Sequence, residues 1–284
     1  MISGLLAARA IHRPWRFVAQ KRVINLLWVF VLWTLVYAVP YAFIGEGEGL
    51  NSTLLIRTLL RIINLFGPYW FLSMLVIMFV ILKLVRRVHP ALILSVAIIL
   101  RLLAVQLPNL DHFFASDVIA TVNNFCTYFL WYAIGALGAS VMPHLVRFSK
   151  WTWFIAIPAF YMLTKANGIP DRDDNFTLIL TIVGIIGIVG FSELITRKRL
   201  GQRAARYLAT RTLPIYIFHA LFIVLLRASN FRLGELTSTE AIALSLGLTA
   251  ALTAISCLIW DITNRRLPYL FRAPTIINSS TPSR

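Results

Sequence analysis

The chain has 284 residues, of which 59% are hydrophobic and only 13% charged, and its mean hydropathy is +0.78. A soluble domain of this size needs far more polar surface, so the composition is that of a polytopic membrane protein. The formal net charge of +16 sits in short basic clusters between apolar segments, which argues against nucleic acid as a partner and fits the positive-inside rule.

In chain order, residues 1–23 read as a basic cytoplasmic start, with Arg9, Arg13, Arg16, Lys21 and Arg22. The first span is expected at Ile24–Phe43, with a weak polar stripe of Thr34, Tyr37 and Tyr41 and a kink at Pro40. An outer loop with Glu46 and Glu48 leads into NSTLLIRTLLRIINLF. There Arg57 and Arg61, four apart among apolar residues, suggest an amphipathic helix on the outer surface or a re-entrant piece. The second span is Tyr69–Leu84, returned to the cytoplasm by Lys83, Arg86 and Arg87. The third, Pro90–Leu107, contains Arg101 near its outer end, where snorkelling to the interface is expected. The fourth, Ala120–Met142, carries Gly135 and Gly138 for close helix contact.

The fifth span is Trp151–Thr164, and a solvated acidic loop with Asp171, Asp173 and Asp174 follows. The sixth, Phe176–Leu194, presents Gly184, Gly187 and Gly190 as a packing face, with Glu193 near Arg197 at its inner end. The stretch ITRKRLGQRAARY reads as an inner loop that fixes topology, or that binds donor phosphates. The seventh span is Tyr207–Leu226 and the eighth Ala241–Trp260, followed by a cytoplasmic tail, 262–284, with a disordered end. The fold expected is all-α: a single membrane-embedded domain, 1–284, with about eight spans and both termini cytoplasmic.

The segment around which the chain is organised is Tyr207–Leu226. His219 lies well inside its apolar run, where an ionisable group needs a partner or a purpose. Thr212, Tyr216 and His219 are spaced four and three apart on one helix face, and Pro214 is expected to kink the helix. The stripe reads as the wall of a polar cavity, or as a packing helix whose histidine bonds a neighbour. Asn124, Tyr128 and Trp131 form a second stripe, which walls the same cavity or makes ordinary interhelical hydrogen bonds. Cys126 and Cys257, both in apolar segments, read as packing residues. No metal-ligand spacing, phosphate loop or dinucleotide fingerprint occurs, and the opening residues do not read as a cleavable signal.

Several passages, in order, resemble the acyltransferase-3 family of integral membrane proteins. MISGLL (1–6) is similar to the end of the family's second helix, and FVAQKRVINLLWVFVLW (17–33) to its basic loop and third helix. YWFLSML (69–75) is similar to its Trp-Phe-Leu signature, and FLWYAIGALGA (129–139) to its mid-chain glycine helix. LGQRAARYLATRTLPIYIFHALF (200–222) resembles its late basic loop and Tyr-x-x-His helix. The resemblance implies transfer of an acyl group, often acetyl, from acyl-CoA to a hydroxyl of an envelope or surface glycan or lipid-linked sugar, in the cell membrane. Acyl-CoA is then a co-substrate and no bound cofactor or metal is expected. Within that chemistry His219 is the candidate base or orienter and Tyr216 its support. Lys21 and Arg22 are candidates to meet the donor phosphates. Trp70 stacks on sugar or lines the acyl channel, with an interfacial anchor as its plainer role.

The family core has ten helices, and its first holds an essential histidine. This chain opens at what resembles the end of the second helix, so helix one and most of helix two are expected upstream of Met1, or the chain is an inactive fragment, or His219 serves a reduced variant. Asn25 also stands where the family's second inner-loop arginine is expected. A small transporter or flippase for a lipid-linked sugar, or a catalytically silent partner of a glycan-assembly enzyme, are the competing readings.

Overall fold

The computed structural model describes residues 1–44, 52–104, 116–142, 144, 146, 152–167, 176–228 and 238–274. The loops bearing Glu46, Glu48, Asp111, Asp171, Asp173 and Asp174, the basic residues Arg147 and Lys150, and the last ten residues lie outside the described residues. Every regular element described is helical: α1 (Ile2–Ile11), α2 (Trp15–Ala19), a π-helical turn (Gln20–Ile24), α3 (Asn25–Ile44), α4 (Ser52–Ile63), α5 (Trp70–Leu84), α6 (Pro90–Leu103) and α7 (Ser116–Leu137). These are followed by α8 (Thr152–Asn167), α9 (Phe176–Thr196), α10 (Arg199–Ala209), α11 (Thr212–Ala228), α12 (Ser238–Arg266) and a 3-10 turn (Pro268–Leu270).

Among the described residues, three stretches are long and apolar enough to cross a bilayer: Trp15–Pro40, Phe176–Thr196 and Ala243–Arg266. The consecutive pair Arg199–Ala209 and Thr212–Leu226 qualifies when taken together. At 1.5 Å per residue, α5 and α6 are each only about 20 Å long, short of the roughly 30 Å hydrocarbon core.

The chain forms two compact units. One holds residues 1–13 and 77–207, the other 14–76 and 208–284. In the first, α1 lies on α7, α6 on α7, and α8 on α9. The α1–α7 crossing is set by two glycines. A Cβ on Gly4 would stand 2.0 Å from the Tyr132 carbonyl oxygen, and one on Gly135 would stand 2.0 Å from that of Met1. Backbone therefore meets backbone at both points. Residues 2–11 are thus a packed helix, with Gly4, Ala7 and Ile11 buried. Lys83 is buried as well. Its ammonium donates to the carbonyls of Ile11, at 2.9 Å, and of Arg13, and so caps the negative end of α1.

Arg101 does not snorkel. It is 2% exposed and Nη2 donates to Thr177 Oγ1 at 2.8 Å, which ties α6 to α9. Burial among helices offered the guanidinium a hydroxyl acceptor. Gly187 faces Ile157 and Ala156, and Gly184 faces Phe160, so the glycine face of α9 receives α8 as its spacing foretold. Gly138, by contrast, lies just past the end of α7. Glu193 pairs with Arg197 at 2.9 Å.

In the second unit α11 packs on α3 and α12. The core joins Val29, Phe30, Trp33, Tyr69, Leu72, Ile217, Phe218 and Phe271. Two sequence expectations are corrected here. The basic stretch before Tyr207 is a helix, α10. In addition, Pro214 does not kink the helix that carries His219. It is the third residue of α11, in the first turn, where its missing N–H leaves no orphan carbonyl beyond the helix start. Its ring excludes a helical carbonyl four residues back, at Thr210, and the chain breaks at Thr210–Arg211.

The tail is the largest surprise. Residues 267–274 fold back along α3. Trp28 Nε1 donates to Tyr269 O and Trp33 Nε1 to Leu270 O, each at 2.8 Å. Asn25 uses both ends of its amide, taking Ala273 N at 2.9 Å and giving to Phe271 O at 3.4 Å. Gln20 Nε2 donates to Pro274 O at 3.0 Å. The π-turn stacks Gln20 over Asn25, five residues on, so both reach the same strand of tail. Phe271 fills a slot between Trp33, Phe218 and Trp260, with centroids 5.5, 5.9 and 4.6 Å away.

Candidate functional site

The site in the second unit is built on the turn between α4 and α5. α4 is amphipathic, as the arginine spacing suggested, and its Leu55, Ile56, Leu59, Leu60 and Ile63 are exposed. Its last turn closes with Phe66 N donating to Arg61 O at 2.9 Å. Leu65 takes φ 54°, a left-handed conformation that a branched side chain adopts at a cost of about 1 kcal/mol. Ser73 Oγ holds the Leu65 carbonyl at 2.7 Å. Gly67 follows at φ 137°, which no side chain would tolerate well. This fixed turn delivers Pro68, Tyr69 and Trp70.

Tyr69 is fully buried and its hydroxyl donates to Ile217 O at 3.3 Å. Tyr216, one turn before His219, donates to Pro68 O at 3.5 Å. Tyr37, Tyr69 and Tyr216 form an edge-to-face ladder with centroids 6.0 and 6.2 Å apart. Phe71 sits 5.9 Å from the Tyr216 ring, and Trp70 lies 5.9 Å from Phe71. Beside the ladder is a small cavity of about 10 Å³, lined by Thr34, Tyr37, Ala38, Leu54, Thr58, Arg61 and Pro68. That is space for about one water. Thr34 Oγ1 is buried and has no hydrogen-bond partner among the described residues, so the cavity wall offers an uncommitted hydroxyl.

The structure thus brings Tyr216 and Trp70 together through Phe71, and adds Tyr37, Tyr69, Thr34, Thr58 and Arg61. Tyr69 lies within the YWFLSML passage but neither it nor Thr58 stood out in the sequence, because a buried tyrosine in an apolar run looks like packing. His219 is exposed on α11, while Ile217 and Phe218 beside it face the core. Lys21 and Arg22 lie in the π-turn at the far end of α3. Fifteen residues separate Arg22 from Tyr37, roughly 22 Å along a helix. Tyr128 and Trp131 are half-buried on α7 of the other unit, beside the buried Asn123, Asn124 and Thr127.

Larger cavities also lie among the described residues. One of about 680 Å³ lies between α8 and α9, and one of about 380 Å³ between α3 and α4. The second shares Ala38, Leu54 and Thr58 with the small cavity beside the tyrosine ladder, and the first has no residue of that site in its wall. Both cysteines are buried, and among the described residues neither is in a disulfide and no three His, Cys, Asp or Glu side chains gather as a metal site. Arg211 pairs with Asp261 at 2.7 Å, which joins the start of α11 to α12.

No curated protein and no solved structure gives a significant match. A family model described as an acyltransferase domain matches residues 1–261. It covers α1 to most of α12, including the π-turn, the tyrosine ladder and the helix of His219. With apolar helices of spanning length and a family match over nearly the whole chain, this membrane protein belongs to the acyltransferase-3 family.

Proposed function

We propose that the protein moves an acyl group, acetyl in the simplest case, from acyl-CoA to a hydroxyl of an envelope or surface glycan. It does so as a multi-pass protein of the cell membrane with about eight spans and both termini cytoplasmic. The observation that carries the reading is the family match over residues 1–261.

The parts have separate tasks. Lys21 and Arg22, in the π-turn at the basic end of α3, meet the donor's phosphates. The hydroxyl-rich end of the same unit, with Trp70 as a stacking face, receives the sugar. Tyr216 orients the acceptor, and Tyr128 and Trp131, on α7 of the other unit, are separate candidates for sugar contact. His219, accessible on α11, is the candidate base. Its imidazole removes the acceptor hydroxyl proton as the oxygen attacks the thioester carbonyl. The tetrahedral intermediate collapses to the ester, coenzyme A leaves as thiolate, and the imidazolium returns its proton to that sulfur. An unactivated hydroxyl attacks slowly, so general-base help of this kind is worth about 10²–10⁴-fold.

The test is release of free thiol from acetyl-CoA by the purified protein in nanodiscs with envelope glycan present. Acetyl ester on the glycan should appear in step with thiol. Movement of a lipid-linked sugar without any need for acetyl-CoA would replace the enzyme with a flippase.

A further inference from the structure

α10 takes no part in the proposed chemistry. Its sequence, RLGQRAARYLA, sets Arg199, Arg203 and Arg206 within an arc of roughly 60° on a helix of 3.6 residues per turn. Leu200, Ala204, Tyr207 and Leu208 occupy the other side. No residue of the helix is buried, and Leu200, Tyr207 and Leu208 are 79, 43 and 40% exposed. The side chains of the three arginines have no ion-pair or hydrogen-bond partner among the described residues. No acidic residue occurs between Glu193 and Glu235.

A second observation fixes which way the helix faces. A Cβ on Gly201 would lie 2.0 Å from the Ile195 carbonyl oxygen, so α10 rests directly on the C-terminal end of α9. Gly201 is on the side away from the arginines. α9 is one of the three stretches of spanning length. The non-basic side of α10 is therefore turned toward the end of a membrane span, and the arginine side is turned outward.

We propose that α10 is an interfacial helix that docks on an anionic phospholipid surface. Leu200, Tyr207 and Leu208 enter the boundary between headgroups and acyl chains, and Arg199, Arg203 and Arg206 engage lipid phosphates. The occupant is the bilayer's own anionic lipid, because an exposed apolar stripe beside a basic one matches a surface that is apolar below and negative above. The proposal is independent of acyl transfer.

The test uses the full chain in nanodiscs of phosphatidylcholine alone or mixed with phosphatidylglycerol. Hydrogen exchange over residues 199–209 and the lipid retained on the protein in native mass spectrometry are read together. Phosphatidylglycerol should slow exchange in α10 and be retained preferentially. The variant R199Q/R203Q/R206Q should lose that preference by about fivefold per arginine, on the order of a hundredfold in all. The triple lysine variant should keep most of it. Added salt should weaken the effect on the unaltered protein, which tests the charge without any substitution. Equal exchange in the two bilayers overturns the proposal. So does protection of 199–209 by acetyl-CoA but not by phosphatidylglycerol, which would assign the arginines to the donor.

Discussion

The crossing of α1 and α7 gives a prediction whose size comes directly from the geometry. A methyl group at Gly135 would lie 2.0 Å from Met1 O, and one at Gly4 would lie 2.0 Å from Tyr132 O. Ordinary contact needs more than 3 Å between such atoms, so either substitution to alanine drives the helices apart by about 1 Å or more. That separation loosens the contact made by Ala7 and Ile11 on α1 and by Tyr132, Ala133 and Ala136 on α7, all of them buried. Overpacking of this kind costs about 1–3 kcal/mol, and both Gly4→Ala and Gly135→Ala are expected near 2 kcal/mol. The two are not independent. Once one methyl has spread the helices, the second meets open space, so the double variant should cost about 2–3 kcal/mol rather than their sum. The assay is reversible unfolding in mixed micelles, followed by tryptophan fluorescence and completed as a double-mutant cycle. Single costs below about 0.5 kcal/mol, or strict additivity, would refute the reasoning.

Other consequences are as specific. Phe271→Ala empties a slot closed by three aromatic rings and should destabilise the second unit by about 3 kcal/mol, whereas Asn25→Leu should free the tail to proteolysis after Arg266. Thr177→Val removes an acceptor of a buried arginine and should cost about 1–3 kcal/mol in micelle unfolding, while Thr177→Ser should cost much less. The Arg211–Asp261 pair is half-exposed, so its double-mutant coupling should stay below about 1 kcal/mol and shrink further in salt.

Much of the fold was legible because membrane helices write their apolar character into sequence. The glycines of α9 declared a packing face, and Glu193 and Arg197 declared their pair. What stayed hidden needed the third dimension. Arg101 and Lys83 carry charges that spacing alone sends to the interface. Each is buried because a hydroxyl or a helix end happened to stand within reach. Pro214 looked like a kink because helix breaks are assigned to the proline, yet its clash falls four residues earlier. The return of residues 267–274 along α3 could not be read, since its bonds are mostly from side chains to main-chain carbonyls over more than 230 residues. Around the tyrosine ladder, Tyr216 and Trp70 were picked out by spacing and resemblance. Tyr69 was not, because one hydroxyl within an apolar run has no periodicity to betray it.

The departure at Asn25 acquires a meaning from the structure. Where the family resemblance leads one to expect an arginine, this chain has an amide that grips its own tail at two points. The tail also reaches Gln20, next to Lys21 and Arg22. Lys21 and Arg22 therefore stand beside a segment of tail held on α3.

The measurement that tests the central claim most directly is acetyl transfer by protein in nanodiscs, compared between the unaltered chain, His219→Ala and the pair Lys21→Ala/Arg22→Ala. The account predicts that His219→Ala keeps acetyl-CoA binding but loses at least a hundredfold in transfer. The Lys21/Arg22 variant should lose donor binding itself. Unchanged transfer in His219→Ala would contradict the role given to the histidine. Absence of any acetyl-CoA-dependent product in the unaltered chain would contradict the function.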